Sequence, residues 1–468
     1  MIKLKYLSHS SFLVTCGKTK IVFDPWLKGQ AYYKQWFLWP LAAKGAIDIE
    51  ADAILISHGH EDHLHSETLK SMSKNAHVFF PFQWRQGIKG FLNHLGFEKT
   101  TEAINFKEYL IKDIKVTYIS FSLESVVVIE YQNEVLVNIN DALNSNHENA
   151  VSFILNELNE RWPKIDYLLS GWSGASYFPN QIRYPGKNDI EIGKLREQYF
   201  ANNFCKFTQL LQPKWAIPFC PGFILLKPEN KWINHVKFPR SKVLEYYKEF
   251  FENSGKTQFI CPYPGDVIES GSLNKHSNLH QITEDQQYQL AYKYYENEFE
   301  KASNVNFTSD EKVDELIKQL QYWVNYNKQL YHRKVLQDAM FSVKLEDTKG
   351  PTYLNIFPDE NQNFIVEKSN SPLPERKLII TTATEKLLYV FKKIWGGDVL
   401  TIGYGLLIEV YDQLSLEKNL DIVCVRLITR YPMARKGLLK SPVRAMQFYL
   451  LNPKITSLWI KQKIELKP

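Results

Sequence analysis

The sequence is poor in cysteine and has no long apolar run or block of like charge. Its 5 cysteines lie far apart and form no CxxC or CxH spacing, so neither a disulfide framework nor an iron–sulfur cluster is expected. No apolar run reaches the roughly 18 residues of a membrane-spanning helix. Polar residues at positions 8–11 interrupt the apolar stretch that a signal peptide needs. We therefore expect a cytoplasmic protein without membrane attachment.

Charge and aromatic content narrow the range of partners. The 57 Lys and Arg residues only slightly outnumber the 51 Asp and Glu residues, and the net charge of +6 is spread over 468 positions. Because no basic stripe stands out, no nucleic-acid partner is expected. Aromatic residues make up 14% of the chain, which is typical of well-filled cores and of pockets that bind rings.

The order of predicted elements indicates an α/β protein. Short β-rich segments separated by turn residues occupy the chain from Met1 to about Asn140. Amphipathic helices are predicted over residues 148–162 and 192–211, with further strands between and after them. Because the early strands are predicted to follow one another without crossover helices, a four-layer αββα sandwich is favoured over a doubly wound parallel sheet.

A change in composition near residue 275 predicts the end of this sandwich. We predict an αββα domain over residues 1–275, a helical segment over 276–340 and a small α+β domain over 341–468. Within the helical segment, the apolar spacing predicts helices at 283–301 and 309–329. The last unit is thus a C-terminal α+β extension of the sandwich.

The residues most indicative of chemistry follow an apolar strand at 53–57. They spell HGHEDH and include His58, His60, Asp62 and His63. Imidazole and carboxylate groups clustered at a strand end are typical ligands of divalent metal ions. Residues two apart can point to one side, so His58 and His60 would hold one ion while Asp62 and His63 turn toward a second. The alternative, a surface loop with coincidental histidines, fits poorly with a position directly after a buried strand.

The pattern resembles the metallo-β-lactamase fold superfamily, whose members share the αββα sandwich. Asp24 in KIVFDPWL, the HGHEDH motif and Asp141 in VLVNINDAL occur in the order of that superfamily. The stretches DPWLKGQAYYKQWFLWP, ISHGHEDHLHSETL, GWSGASYFP and LQPKWAIPFCPGF are similar to the CMP-N-acetylneuraminate hydroxylase family in particular. The resemblance implies two divalent metal ions, which the nitrogen and oxygen ligands allow to be zinc, iron or manganese.

The resemblance also implies which residues bind each ion. One ion would lie at His58, His60 and Asp141, and the other at Asp62, His63 and Asp141.

Two expected features of those families have no counterpart here. The third metal motif usually supplies a His where this sequence has Ser120 or Ser122, and the last His is missing at GWSGASYFP. Water or a group such as His9, His65 or His147 would complete the ligands, and a single ion is also compatible. The hydroxylase family carries a Rieske domain, and this chain begins at the sandwich without CxH pairs. Any oxidation would therefore need a separate redox partner.

A long loop after the strand YLLSG is the predicted substrate wall, because loops of the superfamily border the active site there. Trp172 and Tyr177 would stack on a ring, and Arg183 and Lys187 would meet a phosphate or carboxylate. The alternative is an ordinary surface loop with solvated charges. Cys220 is interpreted as a buried packing residue and not as a nucleophile.

The favoured function is a metal-dependent hydrolase that acts on a small polar or anionic metabolite through a metal-activated water, with Asp62 accepting a proton. The alternative is a di-iron oxygenase or hydroxylase that takes electrons from a separate donor. A binding protein that has lost catalysis and a nuclease of the same fold are further alternatives. The sequence leaves open whether the protein forms a homo-oligomer.

Overall fold

The computed structural model describes residues 1–83, 87–120, 124–144, 148–251, 256–304, 306–393, 396–411, 415, 417–429, 442–454 and 456–458. Ser122 and His147, both considered above, lie outside these residues. No helix in these ranges is long and apolar enough to cross a membrane.

Within the described ranges, residues 1–274 form most of the strands, together with five α-helices. The strands are β1 (Ile2–Ser8), β2 (Ser11–Cys16), β3 (Thr19–Phe23), β4 (Gln30–Ala31), β5 (Trp36–Leu38), β6 (Ala53–Leu55), β7 (His77–Pro81), β8 (Thr100–Ala103), β9 (Glu108–Ile111), β10 (Ile114–Ser120), β11 (Ser125–Tyr131), β12 (Glu134–Asn140), β13 (Tyr167–Ser170), β14 (Ile182–Arg183), β15 (Trp215–Pro218), β16 (Phe223–Leu225), β17 (Gln258–Phe259), β18 (Val267–Glu269) and β19 (Ser272–Asn274). The helices are α1 (Ser66–Ser71), α2 (Ile88–His94), α3 (Glu148–Arg161), α4 (Asp189–Leu211) and α5 (Val243–Phe250).

Two large sheets pack face to face. One has the order β19-β18-β1-β2-β3-β6-β7-β8, and the other has the order β17-β15-β13-β12-β11-β10-β9. Because side chains alternate along a strand, Val127 and Ile129 of β11 enter the core between the sheets. Val126 and Val128 point the other way and pack with α3 and α4. The outer face of the first sheet is covered by α1 and α2, so the four-layer αββα prediction is confirmed.

The prediction that the early strands lack crossover helices was wrong. Strands β3, β6, β7 and β8 run parallel, and α1 and α2 connect the last three of them. These helices span only 6 and 7 residues. A helical apolar period becomes recognisable only over about 11 residues or more, so the sequence pattern did not reveal them.

Eight further helices and five strands follow within the described residues. The helices are α6 (Glu284–Tyr294), α7 (Glu296–Ser303), α8 (Asp310–Asn327), α9 (Arg333–Gln337), α10 (Thr384–Lys392), α11 (Gly397–Leu400), α12 (Leu420–Leu427) and α13 (Pro442–Leu451). The strands are β20 (Phe341–Leu345), β21 (Thr352–Pro358), β22 (Phe364–Ser369), β23 (Leu378–Thr382) and β24 (Leu407–Val410). The predicted helix over 283–301 is divided at Tyr295 into α6 and α7, while that over 309–329 corresponds to α8.

A third sheet connects the C-terminal part to the sandwich. Its order is β14-β24-β23-β20-β21-β22, so its edge strand β14 comes from the loop that was predicted to form the substrate wall. Ile182 of β14 is buried in the apolar core of this sheet. A small sheet of β16, β5 and β4 lies in the sandwich part. The predicted domain boundaries remain a prediction, and β14 shows that the C-terminal sheet takes one strand from the first predicted domain.

Candidate metal centre

The HGHEDH segment lies in the loop between β6 and α1, at the carboxyl end of a parallel strand. His58, Asp62 and His63 are buried, whereas His60 is half-buried and its ring centre lies 4.4 Å from that of His58. Parallel strands present their following loops at the same sheet edge, which is where α/β proteins bind ligands. Asp141 follows β12 of the other sheet and reaches the same place.

The hydrogen bonds of His63 determine which of its ring nitrogens is free. Nδ1 lies 3.2 Å from Oδ2 of the fully buried Asp24, which can only accept when ionised. Nδ1 therefore carries a proton, and Nε2 is the ring nitrogen left to face a ligand. That Nε2 atom is buried and has no hydrogen-bond partner among the described residues. A carboxylate behind a metal-binding histidine commonly fixes the ring in this way.

The ring of His58 is oriented by the same carboxylate, through the hydroxyl of Ser57. The Ser57 hydroxyl donates to Asp24 Oδ2 at 2.7 Å, so its oxygen accepts from His58 Nδ1 at 2.9 Å. His58 Nε2 is then unprotonated, and like His63 Nε2 it is buried without a hydrogen-bond partner among the described residues. Asp24 thus orients both imidazoles, directly in one case and through a hydroxyl in the other.

Two carboxylates face these imidazole nitrogens at the separation that a shared cation needs. His63 Nε2 lies 3.3 Å from Asp62 Oδ2 and 3.3 Å from Asp141 Oδ2. His58 Nε2 lies 3.9 Å from Asp141 Oδ2. Two ligands of one ion, each at about 2.0–2.1 Å in tetrahedral geometry, are roughly 3.4 Å apart. Two carboxylates that converge on imidazole nitrogens need a compensating positive charge, and a divalent metal ion that replaces the proton of His63 supplies it, so these donors fit such an ion.

The two imidazoles differ in their tendency to carry a positive charge. Burial, reinforced by the neighbouring His63 and His60, holds the pKa of His58 well below its usual value. Burial would also lower the pKa of His63, but the carboxylates of Asp62 and Asp141 raise it well above its usual value. Positive charge is therefore favoured at Nε2 of His63, where the two carboxylates converge.

His9 approaches the cluster but is held in the opposite tautomer. Its Nδ1 accepts the backbone N–H of Gly222 at 2.9 Å, so the ring proton of a neutral His9 must be on Nε2. Nε2 then donates to Asp62 Oδ2 at 2.9 Å. His9, although close to Asp62 and His63, therefore acts on the site by orienting Asp62 and has no free lone pair for an ion.

His65, considered for completing the ligands, and Ser120, which stands where the superfamily has a His, both lie outside the cluster. His65 is buried at the start of α1, where Nδ1 contacts Thr68 and Nε2 lies 3.2 Å from the Gln30 carbonyl. Ser120 is buried and hydrogen-bonded to Ser125 at 2.6 Å. Neither one lines the cavity beside the cluster.

Sequence reasoning missed three residues that surround the centre. Tyr32 is fully buried, and its hydroxyl donates to Asp62 Oδ1 at 2.5 Å. Glu124 lies just before β11 and lines the cavity, close to where the sequence was expected to supply a His. Cys220 follows β15 and also lines the cavity. Tyr32 and Cys220 are far from HGHEDH in sequence, so no local spacing pattern could have identified them.

A cavity of about 980 Å³ opens from the centre and is lined by His60, Asp62 and Asp141. Of the four predicted substrate residues, Lys187 lines it. Tyr177 packs against the core of the C-terminal sheet. The wall of the cavity instead contains Ser173–Ser176, Phe178, Tyr184, Arg196, Tyr199 and Phe200.

The other two predicted substrate residues make contacts outside the cavity. Trp172 is buried and donates its indole N–H to the Phe238 carbonyl at 3.0 Å. Arg183 pairs with Asp189 at 3.0 Å. Neither residue is on the cavity wall.

Comparison with known proteins agrees with this fold. Residues 3–138 match the Beta-lactamase superfamily domain. This part of the chain is therefore similar to that superfamily, and the αββα sandwich is the metallo-β-lactamase fold.

Among characterised proteins, the chain is similar to the cytidine monophosphate-N-acetylneuraminic acid hydroxylase of Danio rerio. The two are 26% identical over 302 residues, which cover 60% of this chain and 49% of the relative. The chain thus spans about half the length of the curated relatives it matches.

Two solved structures show more distant similarity. The diiron β-hydroxylase CmlA from Streptomyces venezuelae matches with a TM-score of 0.38 and 17% identity over 56% of this chain and 53% of its own. A metallo hydrolase from the archaeon Ignicoccus hospitalis matches with a TM-score of 0.36 and 16% identity over 59% of this chain and 99% of its own.

Proposed function

We propose that this chain is a binuclear metal-dependent enzyme that hydrolyses a small polar or anionic metabolite. The observation that carries the proposal is the convergence of two buried imidazole Nε2 atoms, which have no hydrogen-bond partner among the described residues, with two carboxylates at the end of a large cavity. His58, His63, Asp62 and Asp141 would hold the ions, with His60 beside them. Bound ions would lower the pKa of water and polarise the bond under attack.

Asp62 is better suited to holding an ion than to accepting a proton. Its Oδ1 accepts from Tyr32 and its Oδ2 accepts from His9. Burial opposes its ionisation, but His63 and His9 nevertheless hold the pKa of Asp62 well below its usual value. The role of Asp62 as a proton acceptor, which the sequence suggested, remains a prediction that competes with this one.

The cavity wall indicates what the substrate must present. Phe178, Phe200 and Ile402 provide apolar surface, and Lys187 and Arg196 provide positive charge. Arg196 is already neutralised by Glu197 at 2.7 Å, which leaves Lys187 to meet an anionic group. We infer a substrate with an apolar or ring portion along the wall and its polar, reacting end at the ions.

Hydroxylation with a separate electron donor is the second candidate. It is supported by the similarity to a hydroxylase of Danio rerio over 60% of this chain. Imidazole and carboxylate ligands bind iron as well as zinc, so the ligand set does not distinguish hydroxylation from hydrolysis. The proposed site is therefore compatible with either reaction, and the identity of the bound ions would distinguish the two.

Elemental analysis of chelator-free protein is the test. We expect two ions per chain in the native protein and none in the His58→Ala/His60→Ala double variant, with the fold retained in circular dichroism. Zinc together with turnover of esters, lactones or phosphodiesters would support hydrolysis. Iron with reductant-dependent oxygen consumption would support hydroxylation. Native protein that binds no divalent ion would refute the proposed function altogether.

A further inference from the structure

We propose that Tyr32 is a positioning residue of the metal centre, because its hydroxyl fixes the rotation of the Asp62 carboxylate so that Oδ2 meets an ion. The inference rests on the proposed metal site. It also gives the C-terminal part of the chain the task of holding Tyr32 in place. Glu61, the residue of HGHEDH without a ligand role in the proposed site, belongs to the same arrangement.

The phenol of Tyr32 binds one oxygen of Asp62 and turns the other toward the centre. Tyr32 is fully buried, and its hydroxyl donates to Asp62 Oδ1 at 2.5 Å. Asp62 Oδ2 accepts from His9 at 2.9 Å and lies 3.3 Å from His63 Nε2. One hydrogen bond leaves a carboxylate free to rotate, whereas bonds on both oxygens hold it in one orientation. Tyr32 and His9 together therefore keep Oδ2 directed at His63.

Tyr32 lies in a turn whose backbone conformation is costly. The turn connects β4 to β5, and Tyr32, Tyr33 and Lys34 have φ values of 54°, 58° and 62°. Residues other than glycine visit this left-handed region singly, because the Cβ atom then crowds the following carbonyl oxygen. Three in succession persist only where the surrounding structure holds them, and such strain is concentrated at functional sites. This observation is independent of the hydrogen bond to Asp62, and it indicates that the position of Tyr32 is specified.

Glu61 holds the turn from the side of the metal-binding loop. Its Oε2 accepts the backbone N–H of Tyr32 at 2.9 Å, while the next residue, Asp62, accepts the hydroxyl of the same tyrosine. Glu61 belongs to neither group of candidate ligand atoms among the described residues. Two adjacent residues of HGHEDH thus bind the main chain and the side chain of Tyr32, which gives the glutamate of the motif a role of its own.

The C-terminal part holds the turn from the other side. The Gln35 side-chain amide donates to the Tyr32 carbonyl at 2.9 Å and to the Val399 carbonyl at 2.7 Å. A Cβ on Gly403 would lie 2.6 Å from the Tyr32 Cβ, so glycine at this position allows the close approach. Contacts from α11 and the segment after it therefore support the turn that orients Asp62.

Tyr32→Phe removes the hydroxyl and keeps the buried ring. Calorimetric titration of apo protein with Zn²⁺ should show binding weakened by about 10–100-fold, the loss that is usual for groups that orient metal ligands. Tyr33→Phe is the matched control, because it removes a hydroxyl from the next residue of the same turn, whose side chain is 40% exposed. We expect Tyr33→Phe to bind Zn²⁺ with native affinity.

The spectrum of bound Co²⁺ separates a positioning role from a general loss of stability. The visible d–d bands of this ion depend on the number and geometry of its ligands. In Tyr32→Phe the Asp62 carboxylate is free to rotate and to offer either oxygen, so the bands should shift and change in intensity. A variant that had lost only stability would bind Co²⁺ with the native spectrum.

Hydrogen exchange of the native protein tests the same link without depending on the folding of a variant. Because coupling is reciprocal, an ion whose binding depends on Tyr32 must in turn stabilise the turn that carries it. Exchange of the amides of residues 30–36 should therefore slow by about fivefold or more on loading with Zn²⁺.

Three results would overturn the positioning role while leaving the metal centre intact. These are the same Zn²⁺ affinity in Tyr32→Phe and Tyr33→Phe, a native cobalt spectrum in Tyr32→Phe, and exchange at residues 30–36 that Zn²⁺ does not change in the native protein. Failure of the native protein to bind Zn²⁺ or Co²⁺ would instead refute both proposals.

Discussion

At the scale of single residues, Asp24 organises the centre although it would touch no ion. Its carboxylate accepts from the backbone N–H and the hydroxyl of Ser57, from Asn140 and from His63. These contacts place a proton on Nδ1 of both His58 and His63, and so leave both Nε2 atoms toward the other donors of the centre. A residue with no ligand role of its own therefore controls the affinity of the site.

Replacing this carboxylate tests that argument. Asp24→Asn should weaken metal binding by about 10–100-fold, as is usual for partners of metal-binding histidines. Isothermal titration of apo protein with Zn²⁺ measures the effect. Asp52→Asn is the control, since Asp52 accepts from Lys20 and Lys112 at the surface. Equal affinities in the two variants would show that Asp24 does not orient the imidazoles.

Asp141 is the residue whose replacement separates two ligand arrangements. Its Oδ2 lies within 3.9 Å of both His58 Nε2 and His63 Nε2, as expected of a carboxylate shared by two ions. Asp141→Ala should therefore lower the bound metal from two ions to fewer than one per chain, measured by elemental analysis. Because Asp141 is partly exposed, we expect the fold to survive. Loss of only one ion would show that the carboxylate serves a single position.

Part of the centre was predictable from residue spacing alone. His58, Asp62 and His63 share one loop, so their proximity follows from the HGHEDH spacing, and the resemblance added Asp141. Tyr32 follows β4 of the small sheet and Cys220 follows β15 of the other large sheet, so both reach the site through tertiary packing. The role of His9 depends on a contact with Gly222. Hydrogen bonds between distant segments have no signature in a single sequence, which is why the tautomers could not be predicted.

At the scale of elements, β14 determines how the cavity wall is held. It pairs with β24 in the C-terminal sheet, with Ile182 opposite Ile408, and the Ile408 N–H donates to Gln181. The wall loop is thus fixed at one end by the C-terminal sheet.

Sequence periodicity predicted most strands and the longer helices, because these carry their own apolar pattern. It missed β14, since a two-residue strand has no pattern and its partner is more than 200 residues away.

Ile182→Ala tests how firmly that strand is held. The side chain is buried in the C-terminal core, so its truncation should cost about 2–5 kcal/mol of unfolding free energy. Urea denaturation measures the loss, and hydrogen exchange of the wall residues should become faster. Ile190→Ala is the control, because Ile190 is exposed at the start of α4 and should change stability by less than about 0.5 kcal/mol. A wall that exchanges at the native rate in Ile182→Ala would contradict this view of β14.

The turn before β18 gives the sandwich edge a dependence on pH. Burial opposes ionisation of Asp266, but the N–H groups of Tyr263, His276 and Ser277 and the ring of His280 hold the pKa of this carboxyl below its usual value. A lowered pKa means that the stabilisation is present above about pH 4 and is lost as pH falls through the folded value.

Asp266→Asn should therefore flatten the acid side of the stability profile. We expect the thermal midpoint of the native protein to fall more steeply between about pH 5 and pH 3 than that of the variant. The difference between the two midpoints should be largest near neutral pH and shrink on acidification. Parallel curves over this range would exclude Asp266 as the source of the acid sensitivity.

At the scale of the whole molecule, the sandwich and the C-terminal sheet are joined by more than a linker. Gln35 donates to the Val399 carbonyl at 2.7 Å, and Lys227 pairs with Glu346 at 2.8 Å. Together with β14, these contacts give residues of the sandwich polar and apolar partners in the C-terminal part, and the reverse. We therefore expect a single cooperative transition in calorimetry and not separate unfolding of the units predicted from the sequence.

Metal loading provides the means to test that coupling. An ion that binds only the folded state stabilises it by about 2.7 kcal/mol at a free concentration 100 times its Kd. The single transition should therefore move to higher temperature with Zn²⁺ and return on addition of chelator, and Asp141→Ala should abolish the shift. Two transitions, of which only one responds to Zn²⁺, would show that the C-terminal sheet unfolds independently. In that case β14 would be a local contact at the cavity wall, and the boundary near residue 275 would be a true division of the chain.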